Sequence, residues 1–118
     1  MRWVVSLFVL FLAPSALAGE ADVIGAEALY VGNNSWRVSA TIRHADEGWD
    51  HYADRFDVMD PNGNVLAERV LHHPHVEEQP FTRSVGVTVP PGVTEIVIRA
   101  HDNVDGLGGE EFRLVLQR

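Results

Sequence analysis

The chain of 118 residues contains no cysteine and no lysine. Without cysteine it cannot be one of the small exported domains that disulfides hold together, so a packed core must supply its stability. Without lysine, all nine basic side chains are arginines, which favour planar, bidentate pairing with carboxylates. No segment keeps a 3.6-residue apolar period, and no apolar run is long enough to span a bilayer. A helical fold and a membrane-spanning helix are therefore not expected.

The N-terminus has the pattern of a secretory signal peptide. A positive start at Met1-Arg2 precedes a short apolar run from Trp3 to Leu12, and Ala16-x-Ala18 supplies a small-residue cleavage site. We predict cleavage after Ala18, which divides the chain into a signal peptide (1–18) and one domain (19–118). Since no cysteine follows the apolar run, a lipid anchor is not expected. The predicted product is periplasmic or secreted, with no membrane insertion after signal cleavage.

The charge is strongly negative. The formal charge is −8, and it becomes −9 once the signal segment is removed, because that segment holds one arginine and no acid. Such a surface repels phosphate backbones and anionic membranes, so nucleic acid is excluded as a partner. A cation or a basic protein is the partner class that this charge favours.

Apolar and polar residues alternate along the chain with the period of β-strands, and turn residues separate the segments. Trp36, Val38, Ala40 and Ile42 form the clearest buried row. The pattern predicts an all-β fold, a seven-stranded antiparallel sandwich of the immunoglobulin or fibronectin type III kind. The predicted strands cover 21–31, 36–43, 52–59, 65–71, 81–89, 94–101 and 111–116.

The predicted connectivity places all six histidines at one pole. If each strand runs opposite to the one before it, the segments 44–51, 72–75 and 101–109 all lie at the same end. The other end receives only turn residues, such as those of 60–64 and 90–92. Long loops on a rigid scaffold commonly carry binding residues, so this histidine pole is the candidate functional face.

A transition metal is one ligand that this pole would suit. The candidate ligands are imidazoles, which bind zinc and copper(II) well: His72, His73, His75, His51 and His101. The alternative interpretation is a polar network in which these side chains only hold the loops. His44 continues the buried row of its strand, and we expect it to be a buried neutral imidazole bonded to a carbonyl group.

A binding face for a protein or a glycan is the other possibility. Its candidate residues are Trp49, Asp50, Tyr52, Glu77, Glu78, Arg83 and Asp102. Arg83 is expected to pair with a carboxylate. Trp49 and Tyr52 could stack on a ligand, but aromatics in this position more often close the end of a sandwich core, and we expect that role here.

Catalytic signals are weak. There is no cysteine nucleophile, and Ser84 lies within a strand rather than at a strained turn. We therefore expect no enzyme activity. The predicted function is a binding or interaction module that uses the histidine pole, and the alternative is a periplasmic protein that binds zinc or copper.

Three stretches carry a resemblance to known proteins. They are His44-Ala-Asp-Glu-Gly-Trp-Asp-His-Tyr-Ala-Asp-Arg55, His73-Pro-His-Val-Glu-Glu-Gln-Pro-Phe-Thr-Arg-Ser84 and Arg99-Ala-His-Asp102. Together they resemble a group of small exported bacterial β-sandwich proteins with no assigned role. The resemblance implies a secreted or periplasmic immunoglobulin-like or fibronectin-like sandwich, and it implies no activity.

Overall fold

A computed structural model describes residues 20–117, and every regular element within them is a β-strand. The predicted signal segment 1–18 lies outside the described residues. No helix in the described part is long and apolar enough to cross a membrane. The strands are β1 (Asp22–Gly32), β2 (Ser35–Arg43), β3 (Ala53–Met59), β4 (Val65–Val70), β5 (Phe81–Thr88), β6 (Glu95–Asp102), β7 (Gly106–Leu107) and β8 (Phe112–Val115).

The strands form two antiparallel sheets. One has the order β1-β2-β5, and the other has the order β4-β3-β6, with both β7 and β8 paired to β6. The chain enters the second sheet at β3, returns to the first at β5, and leaves it again at β6. The loops from β2 to β3 and from β4 to β5 carry five of the six histidines, and the third crossing, from β5 to β6, carries none.

Both sheets contribute to a single core. Trp36 and Phe81 come from the first sheet, Phe56 and Ile98 come from the second, and all four side chains are buried. Burial of each such side chain contributes about 1.5–3 kcal/mol. This core substitutes for the disulfides that the sequence lacks.

The all-β, antiparallel prediction is confirmed, and each predicted strand overlaps an observed one. The described count is eight strands rather than seven. The additional strand is the two-residue β7, which lies in the predicted glycine-rich loop. Gly106 adopts a φ of 71°, and this left-handed turn brings the chain back beside Asp102 and His101.

The two ends of the molecule differ as predicted. At one end lie the turns 32–35, 60–64 and 89–93, and the first and third of these are joined by a bond from the Val89 amide to the Asn34 carbonyl. At the other end, the Asn103 amide bonds to the Tyr52 carbonyl, and the His75 amide bonds to the Asp46 carboxylate. The loops between strands therefore meet at the histidine pole.

Candidate metal centre

Two buried polar residues continue the core rows of their strands. His44 follows the inward positions of β2, and Asp102 follows those of β6. Successive side chains of a strand point to opposite faces, so each residue lies one step beyond the last core position on the same side. His44 is 2% exposed and Asp102 is 0% exposed. The ends of two strands from different sheets thus bring an imidazole and a carboxylate together beneath the pole.

His51 completes a group of three possible metal ligands. It precedes β3, and its ring lies 4.9 Å from the ring of His44, nearly perpendicular to it. One ligand atom from each of His44, His51 and Asp102 lies within 4.8 Å of the others, and no other group of this kind occurs among residues 20–117. His51 is the more accessible of the two histidines, since its side chain is 17% exposed.

The distances suit a metal ion. His44 Nε2 lies 3.2 Å from Asp102 Oδ2, and His51 Nε2 lies 3.5 Å from Asp102 Oδ1. Ligand atoms of a tetrahedral ion with bonds of 2.0–2.1 Å stand about 3.3 Å apart. Asp105 Oδ2 lies 3.1 Å from His51 Nε2, at the same spacing. Asp105 is nevertheless not part of the group, which consists of His44, His51 and Asp102.

The other nitrogen of each ring faces a carboxylate. His44 Nδ1 lies 2.5 Å from Asp46 Oδ1, and His51 Nδ1 lies 3.1 Å from Glu47 Oε1. A proton on each Nδ1 leaves the Nε2 lone pairs directed toward Asp102. Carboxylates that hold metal-binding histidines in this tautomer are a regular feature of metal sites.

The two aspartates are held by backbone amides. Asp46 accepts bonds from the amides of Ala53 and His75, and Asp102 Oδ1 accepts bonds from the amides of Val104 and Asp105. Asp102 Oδ2 is different. It is buried and accepts no hydrogen bond within the described part of the chain, although His44 Nε2 lies 3.2 Å away.

This arrangement needs positive charge. The Asp46 and Asp102 side chains have no exposed surface and lie on either side of the His44 ring. Desolvating each carboxylate costs several kcal/mol unless a cation compensates for it. A divalent ion beside Asp102 would supply that charge.

The structure brings only one of the predicted metal ligands, His51, into this group. His101 precedes Asp102 on β6, so its side chain points to the other face, where Nδ1 lies 2.6 Å from Asp54. The predicted set of ligands did not include His44. A row of core positions in the sequence does not reveal which carboxylates lie around a histidine at its end. Asp46 and Asp102 replace the carbonyl partner that was expected for His44.

The three histidines of 72–75 form a separate cluster. His72 and His73 are exposed, whereas His75 is 6% exposed and its ring stacks on Phe81 at 4.0 Å. Neither ring nitrogen of His75 has a hydrogen-bond partner among the described residues. Burial lowers the pKa of His75, and the charges of Arg83 and His73 lower it further. His75 therefore behaves as a neutral core ring.

The predicted binding face is only partly at the surface. Asp50, Glu77 and Glu78 are exposed, and Arg83 pairs with Glu78 at 3.1 Å, as expected. Asp102 is fully buried and belongs to the ligand group instead.

The expectation that Trp49 closes the core is wrong. It is 64% exposed and contacts Tyr52 edge to face at 5.6 Å. The fully buried large aromatic side chains of the described residues are instead those of Trp36, Phe56 and Phe81.

Comparison by sequence gives one informative relative. A protein from Halomicrobium mukohataei with the name "Putative lipoprotein" is 40% identical over 91 residues. The match covers 77% of this chain and 45% of the relative, so the chain spans less than half the length of that protein. No model of a known protein family matches the chain.

Comparison of folds gives two solved structures. A superoxide reductase (neelaredoxin) from Ignicoccus hospitalis aligns with a TM-score of 0.54 over 87% of this chain and 85% of its own, at 9% identity. A second superoxide reductase, from Giardia intestinalis, covers 80% of this chain and 99% of its own at 16% identity, with a TM-score of 0.43. The first likeness shows a shared fold and no more.

Proposed function

We propose that this protein binds a divalent transition metal through His44, His51 and Asp102. The observation that carries the proposal is the convergence of two imidazole Nε2 atoms on the Asp102 carboxylate, whose buried Oδ2 accepts no hydrogen bond within residues 20–117. The ligands are nitrogen and oxygen without sulfur, which suits zinc or copper(II) better than copper(I).

The proposed role is binding rather than turnover. The His44 and Asp102 side chains have no exposed surface and that of His51 is 17% exposed, so the ion would be largely enclosed by protein, whereas catalytic sites keep a position open. The protein would thus act as an exported metal-binding module. The acidic charge of the chain favours the approach of a cation.

The experiment is a zinc and copper(II) titration followed by calorimetry and by melting temperature. A ligand that binds only the folded state raises the free energy of unfolding by mass action, by about 2.7 kcal/mol at a concentration of a hundred times Kd. The melting temperature rises with it. Asp102→Asn and His51→Gln should abolish that shift, whereas His73→Gln should retain it. No binding by the unaltered protein at about a hundred micromolar metal would overturn the proposal.

The compartment and the fold subtype belong to the same proposal. We infer a periplasmic or secreted protein, supported by the signal-like N-terminus and by the name of the Halomicrobium relative. The strand orders β1-β2-β5 and β4-β3-β6-β8 support an immunoglobulin-like or fibronectin type III-like sandwich.

A second candidate function is recognition of a basic protein segment beside the metal. The observation that favours it is the exposed Trp49, whose backbone carbonyl accepts a bond from Asn103 Nδ2 and whose ring contacts Tyr52 edge to face. Val104, next to Asn103 in the chain, is also exposed, and the two loops that hold Trp49 and Val104 contain the acidic residues Glu47, Asp50 and Asp105. Exposed aromatics with a charged rim are typical of protein interfaces.

Fluorescence titration with an arginine-rich peptide tests this second function. The peptide should change the Trp49 emission in unaltered protein and leave a Trp49→Phe variant unaffected. An oligo-glutamate peptide of equal length is the control. Equal responses to both peptides, or a response by a neutral glycan alone, would contradict a basic partner.

A further inference from the structure

The buried pair of His44 and Asp46 is linked to the segment 72–80 by two routes. Asp46 Oδ2 accepts the backbone amide proton of His75 at 2.7 Å, while Oδ1 of the same carboxylate lies beside His44 Nδ1. The backbone amide of His44 donates to Gln79 Oε1 at 3.0 Å, and Gln79 Nε2 donates to the His75 carbonyl at 2.9 Å.

The other polar attachment of the segment is the pair of Glu78 with Arg83 at 3.1 Å, and because the Glu78 side chain is 57% exposed this pair contributes little. Residues 71–80 contain no strand, and the side chains of 76–80 are exposed. The His75 ring is held by its stack on Phe81 rather than by hydrogen bonds among the described residues. The order of this segment therefore depends strongly on Asp46 and Gln79, and both of them contact His44.

We propose that metal binding at His44 orders the segment 72–80 through Asp46 and Gln79. This inference rests on the metal-binding function proposed above. An ion on His44 Nε2 fixes the ring and polarises the proton on Nδ1, which strengthens the bond to Asp46. A firmly held Asp46 retains the His75 amide more tightly, so opening of the segment becomes rarer.

The coupling must act in both directions. If the ion makes opening of the segment rarer by some factor, loosening of the segment weakens the ion's binding by the same factor. Couplings between sites are typically about 5- to 150-fold. Since two hydrogen-bonded routes connect His44 to the segment, we expect a factor of about ten.

Amide hydrogen exchange with and without zinc tests the proposal. The amides of His75 and His44 report directly on the two links, and both should exchange about tenfold more slowly with zinc. The hairpin turn 60–64 at the opposite pole is the internal control and should not change. If zinc binds but the amide exchange rates of residues 72–80 do not change, the coupling is contradicted and the proposed metal site is not.

A matched pair of variants separates the link from general stability. Gln79→Ala removes both glutamine bonds at an exposed position, and it should bind zinc up to about tenfold more weakly and lose most of the added protection. Glu77→Gln, exposed in the same segment, should behave like the unaltered protein. Equal behaviour of the two variants would contradict the proposal. No zinc binding by any form would overturn the metal site itself and the coupling with it.

Discussion

His44 Nδ1 lies 2.5 Å from Asp46 Oδ1, and neither side chain has any exposed surface. The neighbouring pair of His51 and Glu47 repeats the contact at 3.1 Å, but there the carboxylate is 69% exposed. The same contact between a histidine Nδ1 atom and a carboxylate thus occurs once in the protein interior and once at the surface. Electrostatic contacts are far stronger where water does not screen them.

The two pairs predict unequal effects on metal affinity. Asp46→Asn should weaken zinc binding by about 10- to 100-fold, because the buried carboxylate fixes the ring that binds the ion. Glu47→Gln should cost less than about fivefold, since solvent replaces an exposed charge at little expense. Calorimetric titration of both variants measures the difference. Equal losses would mean that the two carboxylates contribute equally to holding the ligands.

Metal uptake should release protons. Imidazole and carboxylate groups bind a metal ion only when their ligand atoms carry no proton, so the ion and protons exclude each other in the charge balance of the site. The binding enthalpy should therefore vary with the ionisation enthalpy of the buffer, and affinity should fall as the pH is lowered from 7 to 5.5. Titration in phosphate-free buffers of different ionisation enthalpy measures the number released. A buffer-independent enthalpy would contradict this charge balance.

The His75 ring predicts a loss of stability in acid. Its pKa is lowered in the folded protein by burial, from an ordinary value of 6.5. Below about pH 6.5 the unfolded chain accepts a proton that the folded chain refuses, so the free energy of unfolding falls as the pH falls. Denaturant unfolding of metal-free protein between pH 8 and pH 5 measures this slope. His75→Phe, which can still stack on Phe81, should have a shallower slope, and parallel curves would refute the assignment.

The Asp57 carboxylate should stabilise the second sheet. It is buried on β3 between Arg55 Nε at 2.9 Å and Arg99 Nε at 3.0 Å, and the bond raises the pKa of Arg55. Asp57→Ala should cost about 1–3 kcal/mol, since bonds to charged groups are lost. Glu95→Gln, which disturbs the more exposed pair with Arg113, should change stability by less than about 0.5 kcal/mol. Chemical denaturation compares the two, and a similar cost for both would contradict the role of burial.

Truncation of the two described tryptophans should change the stability of the protein to very different extents. Trp36→Ala removes a ring with no exposed surface and should cost about 3–5 kcal/mol. Trp49→Ala removes an exposed ring and should change stability by less than about 0.5 kcal/mol. Thermal unfolding distinguishes them. A large loss for Trp49→Ala would show that it serves the fold rather than a surface function.

Local patterns in the sequence were sufficient for the fold class. The alternation of Trp36, Val38, Ala40 and Ile42 requires a strand with one buried face, and turn residues such as Pro61 and Gly63 mark where strands reverse. Strand direction then places the histidine loops at one end. The short strand β7 was missed, because a glycine-rich loop carries no apolar alternation.

The ligand group was only partly visible in the sequence. His44 and Asp102 both continue the inward rows of their strands, and a titratable residue at such a position is a signal that could have identified them. The position of His101 likewise excludes this residue from the ligand group. It is one residue from Asp102 on the same strand, so the two side chains point to opposite faces. The prediction favoured 72–75 instead because histidine is frequent there. Among the described residues, no three possible ligand atoms that include one from this segment lie close together.

The sequence by itself determined the strands, their buried faces and the end of the molecule at which the histidines lie, because these follow from a two-residue period and from turn chemistry. Only the tertiary structure decided which side chains meet. The contact between His44 and Asp102 joins the ends of strands in two different sheets, 58 positions apart in the chain. Local spacing does not encode a contact that arises only when the two sheets pack on one core.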